Sequence, residues 1–148
     1  MEIALGADHA GFELKEKIKG ELQRLGHSVQ DLGTDSDESV DYPDYAARAC
    51  RLVTGGQVER AILICGTGVG MSVAANKLPG IRAANVCSQA AARLSREHND
   101  ANVLTLGARL LDEHQALGIV RAWLETGFLG GRHQRRIDKI AALERKQE

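Results

Sequence analysis

Hydrophobic positions along the chain follow two patterns, short apolar runs and longer stretches with helical spacing. The apolar runs predict five strands, over residues 2–6, 29–32, 61–64, 81–86 and 102–106. The stretches with apolar residues three or four positions apart predict six helices, over residues 12–25, 42–53, 71–77, 90–97, 112–125 and 132–146. Gly26 stands where a glycine typically ends a helix, and Asp112 is expected to cap the fifth helix.

This alternation of strands and helices is typical of a parallel sheet, because parallel neighbours need crossover connections. We predict an α/β fold, a three-layer αβα sandwich with a Rossmann-like five-stranded parallel sheet. The length of the chain predicts a single domain over residues 1–148. Ligands of such sheets bind at the carboxyl ends of the strands. The loops after Leu5, Ile64 and Leu106 are therefore the candidate site loops.

Composition and charge narrow the class of protein. The net charge is −1 with 26% charged residues, which gives no electrostatic footprint of a nucleic-acid or membrane-surface partner. Three cysteines without a CxxC pair argue against a disulfide framework and a structural zinc site. The first residues lack the pattern of a signal peptide, and no apolar run approaches a membrane span. A reduced, cytoplasmic setting is expected.

The most apolar strand leads into a glycine-rich turn, Gly66 to Gly70, which opens a helix. Glycines let backbone N–H groups converge on a ligand, and the following helix adds partial positive charge. The turn is a candidate anion site for a phosphate, a carboxylate or an enolate oxygen. Met71 stands where a dinucleotide fingerprint needs glycine, and the Gly-Lys-Ser/Thr of a P-loop is absent. A tight turn that merely requires glycine is the alternative.

Cys65 stands directly before this turn, where the start of a helix would stabilise its thiolate. The alternative is a buried and inert cysteine. For Cys50 and Cys87 we expect that buried, inert state.

Two histidines have positions suited to a site. His9 follows the first strand together with Asp8, at the ligand-facing edge of the predicted sheet. His98 ends a helix just before strand five and could exchange protons near neutral pH. The alternative for His98 is a helix-terminal residue that complements the macrodipole.

Cationic side chains are candidates for binding a phosphate. Arg132 and Arg136 lie four apart and so share one face of the last helix, which suits a phosphate clamp. A solvated basic surface is the alternative. The same helix carries an apolar stripe, which predicts that it docks, for instance on a partner subunit; the stripe consists of Ile137, Ile140 and Leu143. Arg109 is a further cation, after strand five.

Five motifs are distributed along nearly the whole chain. They are GADHAGFELK at 6–15, DYPDYA at 41–46, ILICGTGVGMSVAANK at 62–77, SREHNDANVLTLGAR at 95–109 and GGRHQRRI at 130–137. Together they resemble the ribose-5-phosphate isomerase B family, which also includes allose-6-phosphate and galactose-6-phosphate isomerases. The resemblance implies isomerisation of ribose 5-phosphate and ribulose 5-phosphate, in the pentose phosphate pathway, through a cis-enediolate. It implies neither metal nor cofactor.

The resemblance also implies roles for individual residues. Cys65 matches the base that moves the C1/C2 hydrogen, and His98, aided by Thr67, matches the groups that open the sugar ring. The enediolate oxygen is expected at the loop formed by Gly66, Thr67, Gly68, Val69 and Gly70. Sugar contacts match Asp8, His9 and Asn99, and phosphate or substrate contacts match Arg109, Arg132 and Arg136. Some of these residues come from a second subunit in the family, so a homodimer or a dimer of dimers is expected.

The chemistry of these residues suits the implied roles. Isomerisation needs a base, donors for a developing oxyanion, an acid–base for ring opening and cations for phosphate. We expect a candidate for each role at the ligand-facing edge of the sheet.

One departure from the family keeps two substrates open. Residues 88–91 read Ser-Gln-Ala-Ala where members often carry a Thr-Tyr-Ser-like run. Loss of the aromatic ring would widen the pocket, so a 6-phosphohexose is the alternative substrate. A non-catalytic phosphosugar-binding module is a third hypothesis, which the joint presence of Cys65, Thr67 and His98 disfavours.

Overall fold

The computed structural model describes residues 1–145 as a five-stranded sheet with helices on both faces. The strands are β1 Glu2–Ala7, β2 Ser28–Asp31, β3 Arg60–Cys65, β4 Ala83–Asn85 and β5 Val103–Gly107. The helices are α1 Phe12–Arg24, α2 Tyr42–Thr54, α3 Val69–Ala75, α4 Gln89–Asn99, α5 Glu113–Glu125 and α6 Arg132–Arg145. The last residue of the predicted sixth helix, residue 146, lies outside the described residues. None of the helices within residues 1–145 is long and apolar enough to cross a membrane.

All pairs of neighbouring strands are parallel, in the order β2-β1-β3-β5-β4, which confirms the predicted αβα sandwich. The chain passes from β1 to β2 on one side of the sheet, and from β3 to β4 and β5 on the other side. The carboxyl ends of β1 and β3 therefore form the crevice at which such sheets bind ligands. Asp8 follows β1 and Cys65 ends β3, so both candidates lie at this crevice.

Side-chain alternation along β3 divides the core into two halves. Ile62 and Ile64 pack with α1, α4 and α5 on one face. Leu63 and Cys65 pack with α2 and α3 on the other face. The alternation thus directs the thiol of Cys65 toward the α2–α3 layer, under the glycine-rich turn.

The structure confirms one predicted element boundary and shifts two others. Asp112 caps α5 as expected, because its Oδ1 accepts the Gln115 N–H at 2.7 Å while Gln115 Oε1 accepts the Asp112 N–H at 3.0 Å. The third helix begins at Val69, two residues earlier than predicted, since Gly68 is its left-handed cap. The fourth strand is shorter than predicted, because only residues 83–85 pair with β5.

Candidate active site

The thiol of Cys65 is held by the turn that follows it. Its Sγ accepts the backbone N–H of Gly68 at 3.1 Å, and the residue is only 4% exposed. Gly68 reaches this position with a φ of 80°, in the left-handed region that favours glycine. The backbone N–H of the turn is thus directed at the sulfur atom and fixes the position of the side chain.

The turn is closely surrounded by polar side chains. A Cβ at Gly70 would lie 2.6 Å from the ring carbon Cζ of Tyr42, so the tyrosine ring lies directly against the turn. Arg109 covers the other side, with its Nη1 only 3.1 Å from where a Cβ at Gly66 would be. The backbone of Arg109 also donates to the Gly66 carbonyl at 2.9 Å. Within the turn, Thr67 Oγ1 accepts the Val69 N–H at 3.2 Å.

The loop after β1 runs beside the end of β3, since the Asp8 N–H donates to the Ile64 carbonyl at 3.2 Å. Asp8 is buried, and its Oδ1 accepts the N–H groups of Ala10 and Gly11 at 3.0 and 3.1 Å. Oδ1 therefore orients the start of α1, whereas Oδ2 takes part in neither of these two hydrogen bonds.

The ring of His9 is oriented by the loop between β2 and α2. Its Nδ1 accepts the backbone N–H of Val40 at 3.2 Å. Accepting at Nδ1 means that the neutral ring carries its hydrogen on Nε2. His9 is half-buried, so it can present an N–H donor to a ligand.

These residues form one group, which we name the loop cluster: Asp8, His9, Cys65, the turn 66–70 and Arg109. Tyr42 belongs to it as well, although the sequence analysis did not select it. The DYPDYA motif that contains Tyr42 was the available signal. It carried no chemistry until the fold brought the start of α2 against Gly70.

His98 and Asn99 lie at the opposite end of the strands, which is the amino edge of the sheet. They end α4, two turn residues and Asn102 follow, and β5 then begins at Val103. Cys65 pairs with Gly107, at the carboxyl end of the same strand. The expectation that every role has a candidate at one edge is therefore wrong for His98 and Asn99. A helix returning from a parallel strand necessarily ends at the amino edge of the sheet.

The last helix joins this second group. The ring of His133 stacks on that of His98 with centroids 4.3 Å apart and planes 16° apart. The Leu129 N–H donates to the Glu97 carbonyl at 3.1 Å, which fixes the entry into α6. We name His98, Asn99, Arg132, His133 and Arg136 the helix-end cluster.

Positive charge dominates the helix-end cluster. Arg132 and Arg136 are both exposed. Partial desolvation, followed by the nearby His98 and the two guanidinium groups, holds the pKa of His133 below its usual value. The cluster therefore keeps the ring of His133 neutral to a lower pH and favours an anionic ligand.

The apolar stripe of α6 is only partly covered within the chain. Ile137 is 7% exposed, but Ile140 and Leu143 are 43% and 59% exposed. Docking of this helix on a partner subunit stays a prediction.

The other cysteines differ from each other. Cys50 is buried in the α2 layer, and burial raises the pKa of its thiol to about 11, which suits an inert residue. Cys87 is exposed, so its predicted burial is wrong. It follows the short edge strand β4 and lines a cavity of about 100 Å³ together with Thr67 and Gly107. Within residues 1–145, no group of three His, Cys, Asp or Glu side chains is arranged to hold a metal ion.

Comparison with known proteins gives consistent matches over the whole chain. The model of the ribose/galactose isomerase family matches residues 3–140. The chain is 51% identical over 147 residues to ribose-5-phosphate isomerase B of Escherichia coli, covering 99% of this chain and 98% of that protein. It is 46% identical over 147 residues to a putative sugar phosphate isomerase of Bacillus subtilis, covering 99% of both chains.

Solved structures agree with these relatives. Ribose-5-phosphate isomerase B of Clostridium thermocellum superposes with a TM-score of 0.99 at 49% identity, covering all of both chains. The Mycoplasma genitalium enzyme, solved with bound ribulose 5-phosphate, superposes with a TM-score of 0.93 at 42% identity. That match covers 98% of this chain and 97% of the other.

Proposed function

The chain belongs to the ribose/galactose isomerase family and is an isomerase, and on this premise we propose that it interconverts ribose 5-phosphate and ribulose 5-phosphate. The observation that carries the proposal is the thiol of Cys65. It is buried at the end of β3 and accepts the Gly68 N–H within the glycine-rich turn. A pure binding module would need the anion site but no thiol at this position.

Cys65 acts as the base in this proposal. Its thiolate removes the proton from C2 of the open-chain aldose, which leaves a cis-enediolate. The protonated sulfur then returns the proton to C1, while the hydroxyl proton of O2 passes to O1, and the ketose is formed. Backbone N–H groups of the turn 66–70 stabilise the charge on the enediolate oxygen. The first turn of α3 supports this role, because helix geometry leaves the N–H of Gly70 without an intrahelical acceptor.

Ring opening precedes proton transfer. We assign it to His98, with Thr67 assisting: a proton leaves the anomeric hydroxyl, a proton reaches the ring oxygen, and the bond between C1 and the ring oxygen breaks. Asp8, His9 and Asn99 bind the sugar hydroxyls. The phosphate is bound by the cations Arg109, Arg132 and Arg136, whose guanidinium groups suit bidentate contacts with phosphate oxygens.

The proposed site needs two subunits. In one chain the helix-end cluster is separated from Cys65 by the length of β5, about 13 Å for its four residue steps. Both clusters must act on one pentose, so the partner subunit's His98 would complete the site of Cys65. The exposed stripe of α6 supports a homodimer, because two-fold pairing would cover the stripe. The same pairing would bring the amino edge of one subunit's sheet to the carboxyl edge of the other. We propose a cytoplasmic setting for the enzyme.

A 6-phosphohexose is the second candidate substrate. Residues 88–91 begin α4, where Ser88 Oγ accepts the Ala91 N–H at 3.1 Å, so the departure from the family lies just beyond the edge strand β4. The cavity of about 100 Å³ beside Thr67 and Cys87 offers room for a longer sugar.

The decisive experiment compares kcat/KM for ribose 5-phosphate and allose 6-phosphate with the purified protein. We expect the pentose to be preferred. A preference for the hexose would select the second candidate, and binding without turnover of either sugar would overturn the enzymatic assignment.

A further inference from the structure

The end of α4 is held by two guanidinium groups. Arg82 approaches from the segment before β4 and donates its Nε to the Asn99 carbonyl at 2.9 Å and its Nη2 to the Asp100 carbonyl at 2.9 Å. Arg96, within the helix, donates its Nη1 to the Asp100 carboxylate at 2.7 Å and to the Ala101 carbonyl at 2.8 Å. The carbonyl of the last helical residue, Asn99, and those of the two residues after it are thus bound by guanidinium groups.

The turn fixed in this way has a rare conformation. Asp100 has a φ of 46° and a ψ of 45°, in the left-handed region, although it is not a glycine. Such a residue keeps this conformation when its surroundings over-determine it. Here the carboxylate contacts both guanidinium groups, Arg96 at 2.7 Å and Arg82 at 3.5 Å.

The two arginines differ in what else they hold. Arg96 is 6% exposed and also donates to the Thr126 carbonyl, so it is part of the packing between α4 and the end of α5. The side chain of Arg82 is 26% exposed and lines a cavity of about 220 Å³ with Asn99 and Ile140. Water can enter this cavity and solvate the carbonyls if the Arg82 side chain is shortened.

The Arg82 side chain can therefore be changed without altering the packing that Arg96 makes. Its hydrogen bonds nevertheless lie directly at the site residues His98 and Asn99. The carbonyl of Asn99 and the turn at Asp100 are its acceptors, and His98 precedes them by one residue. We propose that Arg82 is a positioning residue for the isomerase: it fixes the end of α4 and so the direction in which His98 and Asn99 reach the sugar. The proposal rests on the proposed function, in which His98 opens the ring.

Two assays on the same variant separate positioning of His98 from other losses. The first is turnover of cyclic ribose 5-phosphate, which requires ring opening. The second is incorporation of solvent deuterium at C1 of saturating ribulose 5-phosphate, an open-chain sugar whose exchange needs the base but no ring opening. For Arg82→Ala we expect turnover to fall about tenfold or more, because misplaced catalytic groups lose rate steeply. Exchange should stay within about threefold of wild type.

Matched variants complete the test. Arg82→Lys keeps a cation that can donate to one carbonyl, so it should recover part of the turnover. If Arg82→Ala does not fold, the lysine variant carries the same two-assay comparison. Arg93→Ala removes an exposed arginine of α4 whose Nη2 donates to Gln89 Oε1 at 3.2 Å. This variant should behave as wild type.

Unchanged turnover of Arg82→Ala, or parallel loss of turnover and exchange, would overturn the positioning role. Wild-type protein without turnover of ribose 5-phosphate would instead overturn the proposed function, and with it the role of His98. The two failures are thus distinguished by the wild-type measurement.

Discussion

Two inactive variants, Cys65→Ala and His98→Ala, should regain activity when their subunits are mixed. Each variant lacks one of the two groups that the proposed mechanism requires. In one chain these groups lie at opposite edges of the sheet, with Cys65 beside Gly107 and His98 just before Val103. In the proposed mechanism, proton transfer and ring opening act on neighbouring atoms of one sugar, so we expect the working pair to come from two chains.

The expected recovery follows from counting sites. Free exchange between equal amounts of two variants gives about one half mixed dimers, by two-fold symmetry and random pairing. Each mixed dimer has one site with both groups intact and one site with both groups lost. About a quarter of wild-type activity should therefore return.

The assay mixes the purified variants under conditions that let subunits exchange and then follows ketose formation from ribose 5-phosphate. Cys65→Ala mixed with the double variant, which lacks both groups, is the matched control and should stay inactive. A mixture of the single variants with no more activity than its components would refute the shared site.

Three further predictions concern single positions. Gly68→Ala should destabilise the protein by about 2–4 kcal/mol in urea unfolding, since a left-handed φ and a Cβ 2.9 Å from Leu106 both cost energy, whereas Gly20→Ala has open space and should not destabilise. Glu21→Gln should lower the free energy of unfolding at pH 7 by about 1–2 kcal/mol after solvent screening. Bonds from Arg24 and then Arg121 hold the pKa of Glu21 at about 2, so this difference should be full above about pH 4.5 and disappear as the pH falls through about 2; unfolding curves at several pH values check it. Arg132→Gln should raise KM for ribose 5-phosphate about tenfold or more with a smaller effect on kcat, as steady-state kinetics would reveal.

Much of the fold could be predicted because the signals are local. Apolar runs and helical spacing predicted the strands and helices in their correct order. The side chain of Asp112 identified this residue as the cap of α5. Boundaries failed where tertiary contacts decide them. Gly68 starts α3 early through its backbone conformation, and β4 is limited to the residues that β5 can pair.

The site was harder to predict because it depends on where elements end in space. Residue type and motif selected Cys65 and His98, but not the distance between them. Their separation follows from the direction of α4 relative to the strands, which spacing along the chain does not display. Tyr42 was missed for the same reason, and the exposure of Cys87 depends on its place after an edge strand.

The role of Cys65 as the base is the central claim, and Cys65→Ala tests it most directly. Turnover of ribose 5-phosphate should fall by about 100-fold or more, as expected for loss of a general base. Calorimetric affinity for the sugar phosphate should change little. Cys50→Ala, at a buried thiol away from the turn, is the control and should keep its activity. A Cys65→Ala enzyme with near-normal kcat would contradict the assignment.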